Sequence, residues 1–195
     1  MSAAQVDEAV DEAEQRAQAV RQDARRLSTG VCVLTAGEGS EVHGATVSAV
    51  SVVSQRPPTV CVGLRFESVM ARIVLETGTF VVNVLASGQA LLADWFANPQ
   101  RPAGREQFGP VRWEPQPETG IPLLRGCLAQ LTCAPVSYQR VGRDDALLVA
   151  QINTTLIGAG RPLLSYDGLL HDPELHGVAR RRGWRPAESA ASTWD

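Results

Sequence analysis

The stretch HGATVSAVSVVSQRPPTVCVGL, from His43 to Leu64, decides the fold of this chain. Its many β-branched residues predict buried strands, with Pro57-Pro58 turning the chain from one strand into the next. Small hydroxyl side chains nevertheless recur within these strands, at Thr46, Ser48, Ser51 and Ser54. Packing alone does not require them. Small side chains let a flat ligand approach the backbone, so the stretch is interpreted as one wall of a binding site.

The rest of the chain carries further strand signals. Apolar or β-branched runs bounded by Gly, Pro and Asp predict strands at residues 31–35, 59–64, 80–85, 128–138 and 146–157. Two short helices are predicted between them, over 69–76 with Ser68 as N-cap and over 89–96 with Ser87 as N-cap. Because few helices separate the strands, the pattern predicts a mainly β fold with added helices, an antiparallel barrel and not a βαβ sandwich.

Two segments outside these strands also carry a prediction. Residues 98–126 are rich in Pro, Gly and Arg and are predicted to form a long ordered loop, which is typical of a functional segment. Residues 5–27 contain no Gly or Pro and predict a long N-terminal helix. Apolar residues recur along this helix in steps of four and three, at Val6, Val10, Ala13, Ala17, Val20, Ala24 and Leu27. Such a seam indicates packing, either on the helix's own domain, which we favour, or on a second subunit.

The expected organisation follows from these segments. An N-terminal helix over 1–27 precedes a barrel domain over 28–171, and a partly extended or disordered tail covers 172–195. The N-terminus is acidic and polar without a signal-peptide core, and no apolar run approaches the ~18 residues of a membrane span. A cytoplasmic protein with no membrane partner is therefore expected.

Composition narrows the classes of function. A net charge of −3 gives no strong field toward nucleic acid or an anionic membrane, so neither is expected as a partner. The sequence contains no lysine, which excludes Schiff-base and P-loop chemistry. A phosphate would therefore be held by Arg, by backbone N–H groups or by a helix N-terminus.

The sequence contains no obvious set of acid, base and nucleophile. GxSxG, HExxH and P-loop patterns are absent, and the glycines of residues 37–44 are misplaced for a dinucleotide loop. His43, His171 and His176 are interpreted as structural or surface residues, and Asp144-Asp145 as turn residues. The cysteines form no CxxC pair and are interpreted as reduced core residues, with no metal site expected: Cys32, Cys61, Cys127 and Cys133. Such a chain often borrows its reactivity from a cofactor.

Five segments together resemble the flavin reductase family of small NAD(P)H:flavin oxidoreductases. They are STGVCVLTA at 28–36, HGATVSAVSVVSQRPPTVCVGL at 43–64, FVVNVLASGQALLADWFA at 80–97, GIPLLRGCLAQLTC at 120–133 and RPLLSYDGLLH at 161–171. The resemblance spans about residues 20–171 and implies an FMN-binding split β-barrel, an antiparallel barrel of Greek-key-like topology. The relatives it suggests are the reductase components of two-component flavin-dependent monooxygenases.

The resemblance also implies a flavin site on two segments. The isoalloxazine wall would be lined by Thr46, Val47, Ser48, Ala49 and Val50, continued by Val52 and Val53, with Ser54 just beyond. The phosphate-bearing part would lie at Glu67, Ser68, Val69 and Met70. The flavin, FAD in preference to FMN, would be a substrate that NADH reduces and that then leaves for a monooxygenase. Members are usually homodimers, so a homodimer is expected.

One position departs from the family pattern. Members commonly have Gly-Asp-His before the strand predicted near Ala146, with the histidine on the nicotinamide side of the flavin, whereas this chain has Arg143-Asp144-Asp145. Asp145 offers no ring to stack, and its charge would repel a nucleotide phosphate. Arg143 could compensate by pairing with a phosphate, or His171 could approach the same region. Hydride transfer needs only nicotinamide C4 near flavin N5, so no catalytic acid or base is assigned.

Two other functions remain open. The first is a flavin-binding or carrier protein with weak or no reductase activity, its donor site degraded at Asp145. The second is another enzyme on the same barrel, such as a pyridoxamine-phosphate-type oxidase. The absence of a basic phosphate cluster argues against the second.

Overall fold

The computed structural model describes residues 3–177, with side chains from Glu14 onward. This part of the chain has three α-helices: α1 Ala3–Ala24, α2 Val69–Thr77 and α3 Ala90–Ala97. Its strands are β1 Thr29–Gly30, β2 Cys32–Ala36, β3 His43–Val47, β4 Val50–Gln55, β5 Pro58–Arg65, β6 Phe80–Val84, β7 Trp113–Pro115, β8 Pro122–Leu124, β9 Ala129–Val141, β10 Asp145–Ile157, β11 Leu164–Tyr166 and β12 Leu169–His171. The predicted mainly β fold with added helices is confirmed, and the stretch 43–64 forms three of its strands.

Seven antiparallel strands form the main sheet, in the order β3-β2-β6-β9-β10-β5-β4. Its two edge strands, β3 and β4, are consecutive in the chain and are joined only by Ser48 and Ala49. The sheet therefore curls until its edges approach, and the amide of Gly63 on β5 donates to the carbonyl of Ala49 at 2.8 Å. The resulting barrel stays open between β3 and β5, and we call this opening the split.

The longest hairpin, formed by β9 and β10, reaches toward the split. Each of its strands has 13 residues. Their register shifts near Pro135, which pairs with Ala150 and has no N–H to donate to a ladder. The chain turns at Gly142, whose φ of 66° favours glycine. This turn carries Arg143 and Asp145 at the tip of the hairpin.

Helix α2 fills the barrel end beside the split. The Ser68 hydroxyl accepts a hydrogen bond from the amide of Ala71 at 3.1 Å, so the predicted N-cap is confirmed. The buried face of the helix presents Met70 and Val74 to the same core cluster as Leu34, Val62, Phe80 and Leu148. The helix ends at Gly78 in the left-handed conformation, with φ of 68°.

The predicted cap of α3 is wrong. A short 3-10 helix, Ser87–Gln89, precedes α3, and the Gln89 side chain folds back to accept a hydrogen bond from the amide of Ala86 at 2.9 Å. The Ser87 hydroxyl makes no capping bond. A glutamine three residues after Ala86 therefore organises this helix start, and α3 packs Ala93 and Phe96 into a second core cluster with Phe108.

The segment after α3 is ordered, as predicted. It contains a 3-10 helix, Gly104–Phe108, and a small hairpin in which Trp113 of β7 pairs with Leu124 of β8. The side chain of Gln107 is fully buried within this segment. The segment 98–108 therefore has a fixed shape against the barrel.

The N-terminal helix does not pack on the barrel through the side chains that the structure describes. Every residue from Glu14 to Ala24 is exposed, and Val20 and Leu27 remain 62% and 76% exposed. The favoured packing on its own domain is therefore not seen for these residues. Seam positions Val6, Val10 and Ala13 have side chains outside the described set, and the tail predicted over 172–195 lies outside it from residue 178. Within the described range, no helix combines the length and apolar character that crossing a membrane requires.

The cysteines are free thiols, and most are in the core. Cys32, Cys127 and Cys133 are buried, and Cys61 on β5 is partly buried. Burial raises the pKa of Cys32 and Cys133 to about 12 and that of Cys127 to about 11. The interpretation as core residues is confirmed for these three, which are protonated and unreactive near neutral pH.

Candidate functional site

A groove of about 1170 Å³ opens at the split. One wall is β3 with the turn at Ser48-Ala49, and the facing wall is the end of β5 with the start of α2. The tip of the β9–β10 hairpin and the chain just after α3 form its two ends. Since the split results from the curl of the sheet, the groove is a direct consequence of the strand order.

The groove brings together most of the residues that the sequence singled out. These are Thr46, Val47, Ser48, Ala49, Glu67, Ser68, Val69, Met70, Arg143 and Asp145. They come from three separate segments of the chain. The two segments implied by the resemblance therefore face one another across a single opening.

The remaining predicted residues lie elsewhere. Val50 packs against the barrel core, whereas Val52 and Val53 are 60% and 56% exposed on the edge strand β4. The register of β4 against β5 shifts between Val52 and Ser54, and the Ser54 hydroxyl accepts from the amide of Arg56 at 3.2 Å. The resemblance implied that these four residues continue the wall formed by Thr46, but they lie beyond the turn at 48–49 and do not line the groove.

His171 is also outside the groove. It lies on β12, in the separate three-stranded sheet β1-β11-β12. Its Nε2 is 3.1 Å from the carbonyl of Tyr166. Within the chain, His171 therefore does not approach the position of Asp145.

The hydroxyls of the groove have different roles. The Thr46 hydroxyl donates to the carbonyl of Ala93 at 2.6 Å and so joins β3 to α3. The Ser68 hydroxyl caps α2. The Ser48 hydroxyl makes no hydrogen bond to any residue that the structure describes, and Ser48 is exposed. Ser48 is therefore the hydroxyl available to a ligand.

The backbone of β3 adds further hydrogen-bonding groups. As an edge strand, β3 pairs with β2 on one side only. Gly44 uses its outward amide to donate to Gln107 Oε1 at 2.9 Å, and its carbonyl accepts from Arg101. Because outward-facing residues alternate along an antiparallel edge, Thr46 presents its amide and carbonyl toward the same side. This edge can bond the polar rim of a flat ring.

The start of α2 is suited to an anion. The amides of Val69 and Met70 have no intrahelical acceptor at this end of the helix, and both residues line the groove. Helix N-termini favour negative groups because their exposed N–H dipoles point outward. Ser68 is already occupied as the cap, so a phosphate here would bond backbone amides.

The cluster of His43 and Arg101 was not predicted from the sequence. His43 was interpreted as a structural or surface residue, but it lines the groove with its Nε2 3.3 Å from Nη2 of Arg101. Burial, followed by the positive charges of Arg101 and Arg72, lowers the pKa of His43 to about 4. His43 is therefore neutral near neutral pH. The only sequence signal was the functional character predicted for residues 98–126, which did not single out Arg101.

A second missed group lies at the other end of the groove. The guanidinium of Arg140 lies 4.7 Å from the centre of the Phe66 ring, and Phe66 stacks with Tyr138 at 5.7 Å. Nε of Arg140 donates to the carbonyl of Arg143 at 3.2 Å, which fixes the hairpin turn. The Phe66 ring and the guanidinium of Arg140 therefore lie beside Arg143.

The lining fits a flat, phosphate-bearing ligand. A Cβ on Gly63 would approach the Cβ of Ala49 to 2.9 Å, so a glycine is needed where the walls come closest. Four arginines and three carboxylates line the groove, and no ion pair joins them: Arg65, Arg101, Arg140 and Arg143, with Glu67, Asp144 and Asp145. The groove therefore carries one more arginine than carboxylate, whereas the chain as a whole has a net charge of −3.

A small-residue groove at the split of an antiparallel barrel, lined by arginines, is typical of a protein that binds a flat, phosphorylated cofactor. The protein-family model described as flavin reductase like domain matches residues 24–172. This is most of the chain, and the chain therefore belongs to the flavin reductase family. The expected family, and with it an oxidoreductase, are confirmed.

Individual relatives agree with this membership. The chain is 46% identical over 173 residues to the NADPH-flavin oxidoreductase of Streptomyces viridifaciens, which covers 89% of this chain and 88% of that protein. Among solved structures, the flavin reductase component of a bacterial two-component tryptophan halogenase is 32% identical, with a TM-score of 0.74 over 80% of this chain and 96% of that one. The NADH:FAD oxidoreductase of Streptomyces globisporus, solved with NAD and FAD fragments, is 31% identical, with a TM-score of 0.72 over 81% of this chain and 92% of that one.

Proposed function

We propose that this protein is an NAD(P)H:flavin oxidoreductase that reduces FAD or FMN with NADH and releases the reduced flavin. The observation that carries the proposal is the groove at the split, where small residues, a free strand edge and a helix N-terminus meet. Its volume of about 1170 Å³ exceeds the ~300–1,000 Å³ of most small-molecule sites, which leaves room for a flavin and a nicotinamide together. Family membership and the cofactors in the names of the relatives support the proposal.

The flavin ring would lie against β3. Ser48 offers a free hydroxyl and Thr46 its outward backbone groups, while Val47 and Ala49 leave the approach uncrowded. The phosphate-bearing part would lie at the amides of Val69 and Met70. When bound, the flavin supplies at N5 the acceptor for the hydride of nicotinamide C4.

The protein's own contribution is binding and orientation. The walls of the groove would hold the flavin and nicotinamide rings next to one another. This orientation brings the reacting atoms together. His43 is neutral and no side chain is required to carry a proton in the hydride step. No catalytic acid or base is therefore assigned.

The nicotinamide donor would enter beside the hairpin tip. Asp145 stands there in place of the usual family histidine, in register with Arg65 of β5 and Val141 of β9. Arg143 lines the same end and can offset the carboxylate with its own charge. We favour NADH as the donor and FAD as the preferred flavin.

The protein is further proposed to be a homodimer. Apolar side chains outside the groove remain exposed on three strands of the main sheet: Val52 and Val53 on β4, Val136 on β9, and Leu156 and Ile157 on β10. A second copy of the chain would cover some of these residues, and α1 could pack on that copy.

A charge at the exposed Val136 tests the dimer. Val136→Arg should convert the dimer to a monomer in size-exclusion chromatography with light scattering, because an unpaired charge would be buried at the interface. Leu91→Arg is the matched control, since Leu91 is 84% exposed on α3. A wild-type monomer at micromolar concentration would refute the dimer.

The reduced flavin would be delivered to a separate monooxygenase. Two relatives support a separate partner: one is named as the flavin reductase component of a two-component halogenase, and another as the reductase component of a 4-nitrophenol 4-monooxygenase. An open groove suits a flavin that binds, is reduced and leaves.

A turnover assay decides between reductase and carrier. Purified protein is mixed with NADH or NADPH and excess FAD or FMN, and loss of nicotinamide absorbance is followed. Turnover well above the background of free flavin supports the reductase. Tight flavin binding without turnover would instead establish the flavin carrier, with its donor site lost at Asp145.

A further inference from the structure

We propose that Arg101 recognises the phosphate group of the flavin, and that segment 98–108 is built to hold it there. This inference rests on the proposed function. Arg101 lines the groove and is a cation without an anionic partner among the described residues. Arg101 is partly buried, and no carboxylate among the residues that the structure describes lies within ion-pair distance of it. Partial burial lowers the pKa of Arg101, which means that its charge is incompletely solvated.

The guanidinium of Arg101 is held in one orientation by neutral acceptors. Nε donates to Gln107 Oε1 at 3.3 Å and Nη1 donates to the carbonyl of Asn98 at 2.8 Å. Nη2 donates to the carbonyl of Gly44 and lies 3.3 Å from Nε2 of the neutral His43. None of these partners cancels the charge. The group is therefore oriented in advance, and its positive charge remains available to a ligand.

Gln107 fixes the support of Arg101. Its Nε2 donates to the carbonyls of Val42 and Gly104 at 3.2 and 2.9 Å, and its backbone carbonyl accepts from Nε1 of Trp95 at 2.8 Å. Every polar group of this buried side chain is satisfied, so the segment has little freedom to move. The bonds of Gln107 therefore hold the side chain of Arg101 in place as well as the segment.

The position of Arg101 selects the phosphate end of the ligand. Helix α2 packs against β3, and Arg101 is bonded to Gly44 and lies beside His43 at the start of β3. Arg101 also lines the same groove as Val69 and Met70 at the start of α2. A phosphate there would be bonded by the free amides of Val69 and Met70 and by the guanidinium of Arg101. Because the chain contains no lysine, a side-chain cation for this phosphate must be an arginine, and Arg101 is held in a fixed orientation.

Riboflavin and FMN, which differ only in a phosphate, provide the test, with the dinucleotide FAD measured beside them. Dissociation constants for FMN, FAD and riboflavin are measured by flavin fluorescence on the full chain, for wild type, Arg101→Gln and Arg101→Lys. Arg101→Gln should weaken FMN and FAD about ten- to hundredfold, the range of one charge-assisted hydrogen bond, and riboflavin less than twofold. Arg101→Lys should fall between. Arg112→Gln is the matched control, because Arg112 is exposed in the same part of the chain and does not line the groove.

Several outcomes would overturn the assignment. An equal loss for FMN and riboflavin would make Arg101 a purely structural residue, and no loss for either would remove it from the site. A rise in the KM of the nicotinamide nucleotide with riboflavin as acceptor, at unchanged FMN affinity, would assign Arg101 to the donor's phosphate. If Arg101→Gln does not fold, the FMN-to-riboflavin ratio of Arg101→Lys decides. Wild-type protein that neither binds nor reduces flavin would refute the proposed function itself, which is a separate result.

Discussion

The hydroxyl of Thr46 donates a hydrogen bond of 2.6 Å to the carbonyl of Ala93, which ties the groove strand β3 to helix α3. This bond holds the β3 wall of the groove against α3. Thr46→Val keeps the shape of the side chain and should lower the free energy of unfolding by about 1 kcal/mol, the usual net contribution of such a bond. Urea unfolding measures the change. Flavin affinity should change less than threefold, and a larger loss of affinity than of stability would show that the hydroxyl contacts the ligand.

Ser48 should behave in the opposite way. Its side chain is exposed in the groove, so Ser48→Leu would place a bulky side chain where the flavin ring is proposed to lie. We expect flavin affinity to fall at least about tenfold, with stability within ~0.5 kcal/mol of wild type. Ser51→Leu is the control, because Ser51 is exposed on β4 outside the groove. Unchanged affinity and turnover in Ser48→Leu would show that the flavin binds elsewhere.

The two serines predicted as helix caps should differ in their effect on stability. Ser68→Ala removes the 3.1 Å bond to the amide of Ala71 and should cost about 1 kcal/mol. Ser87→Ala removes a hydroxyl that caps nothing and should stay within ~0.5 kcal/mol. Both are measured by urea unfolding. Equal losses would contradict the assignment of the start of α3 to Gln89.

Asp145→His restores the residue that the family usually carries at the hairpin tip. The change removes a carboxylate and adds a ring, so the KM for NADH should fall about two- to fivefold, the range of one exposed charge interaction. Steady-state kinetics at saturating flavin measures it, with Asp144→His as the control for the neighbouring carboxylate. An unchanged or higher KM would place the donor away from this hairpin.

His43 should make stability depend on pH. Its pKa is about 4 in the folded chain and ~6.5 when unfolded, so the unfolded chain binds more protons between these values. The free energy of unfolding should therefore fall as the pH is lowered through this window. The loss between about pH 7 and 4.5 should be larger in wild type than in His43→Gln, by on the order of 1 kcal/mol after solvent screening. Parallel profiles would indicate that His43 titrates normally.

Local patterns were sufficient for much of the fold. The β-branched runs predicted the strands of the barrel, and Ser68 predicted the start of α2, because these signals act over a few neighbouring residues. They failed at Ser87, where a glutamine side chain took over the capping role. For α1, the period of the seam indicates an apolar face but does not show what covers it.

The sequence by itself determined the class of fold, the family and the two segments that carry most of the groove. Tertiary structure decided which residues share one site. Val52 and Val53 follow Ala49 closely but lie beyond a turn that changes their face, whereas His43 and Arg101 are 58 positions apart and in contact. The physical reason is the curl of the sheet, which brings its two edges near one another around the split and distant loops to that opening. Neither the period of a strand nor the composition of a loop records such a closure.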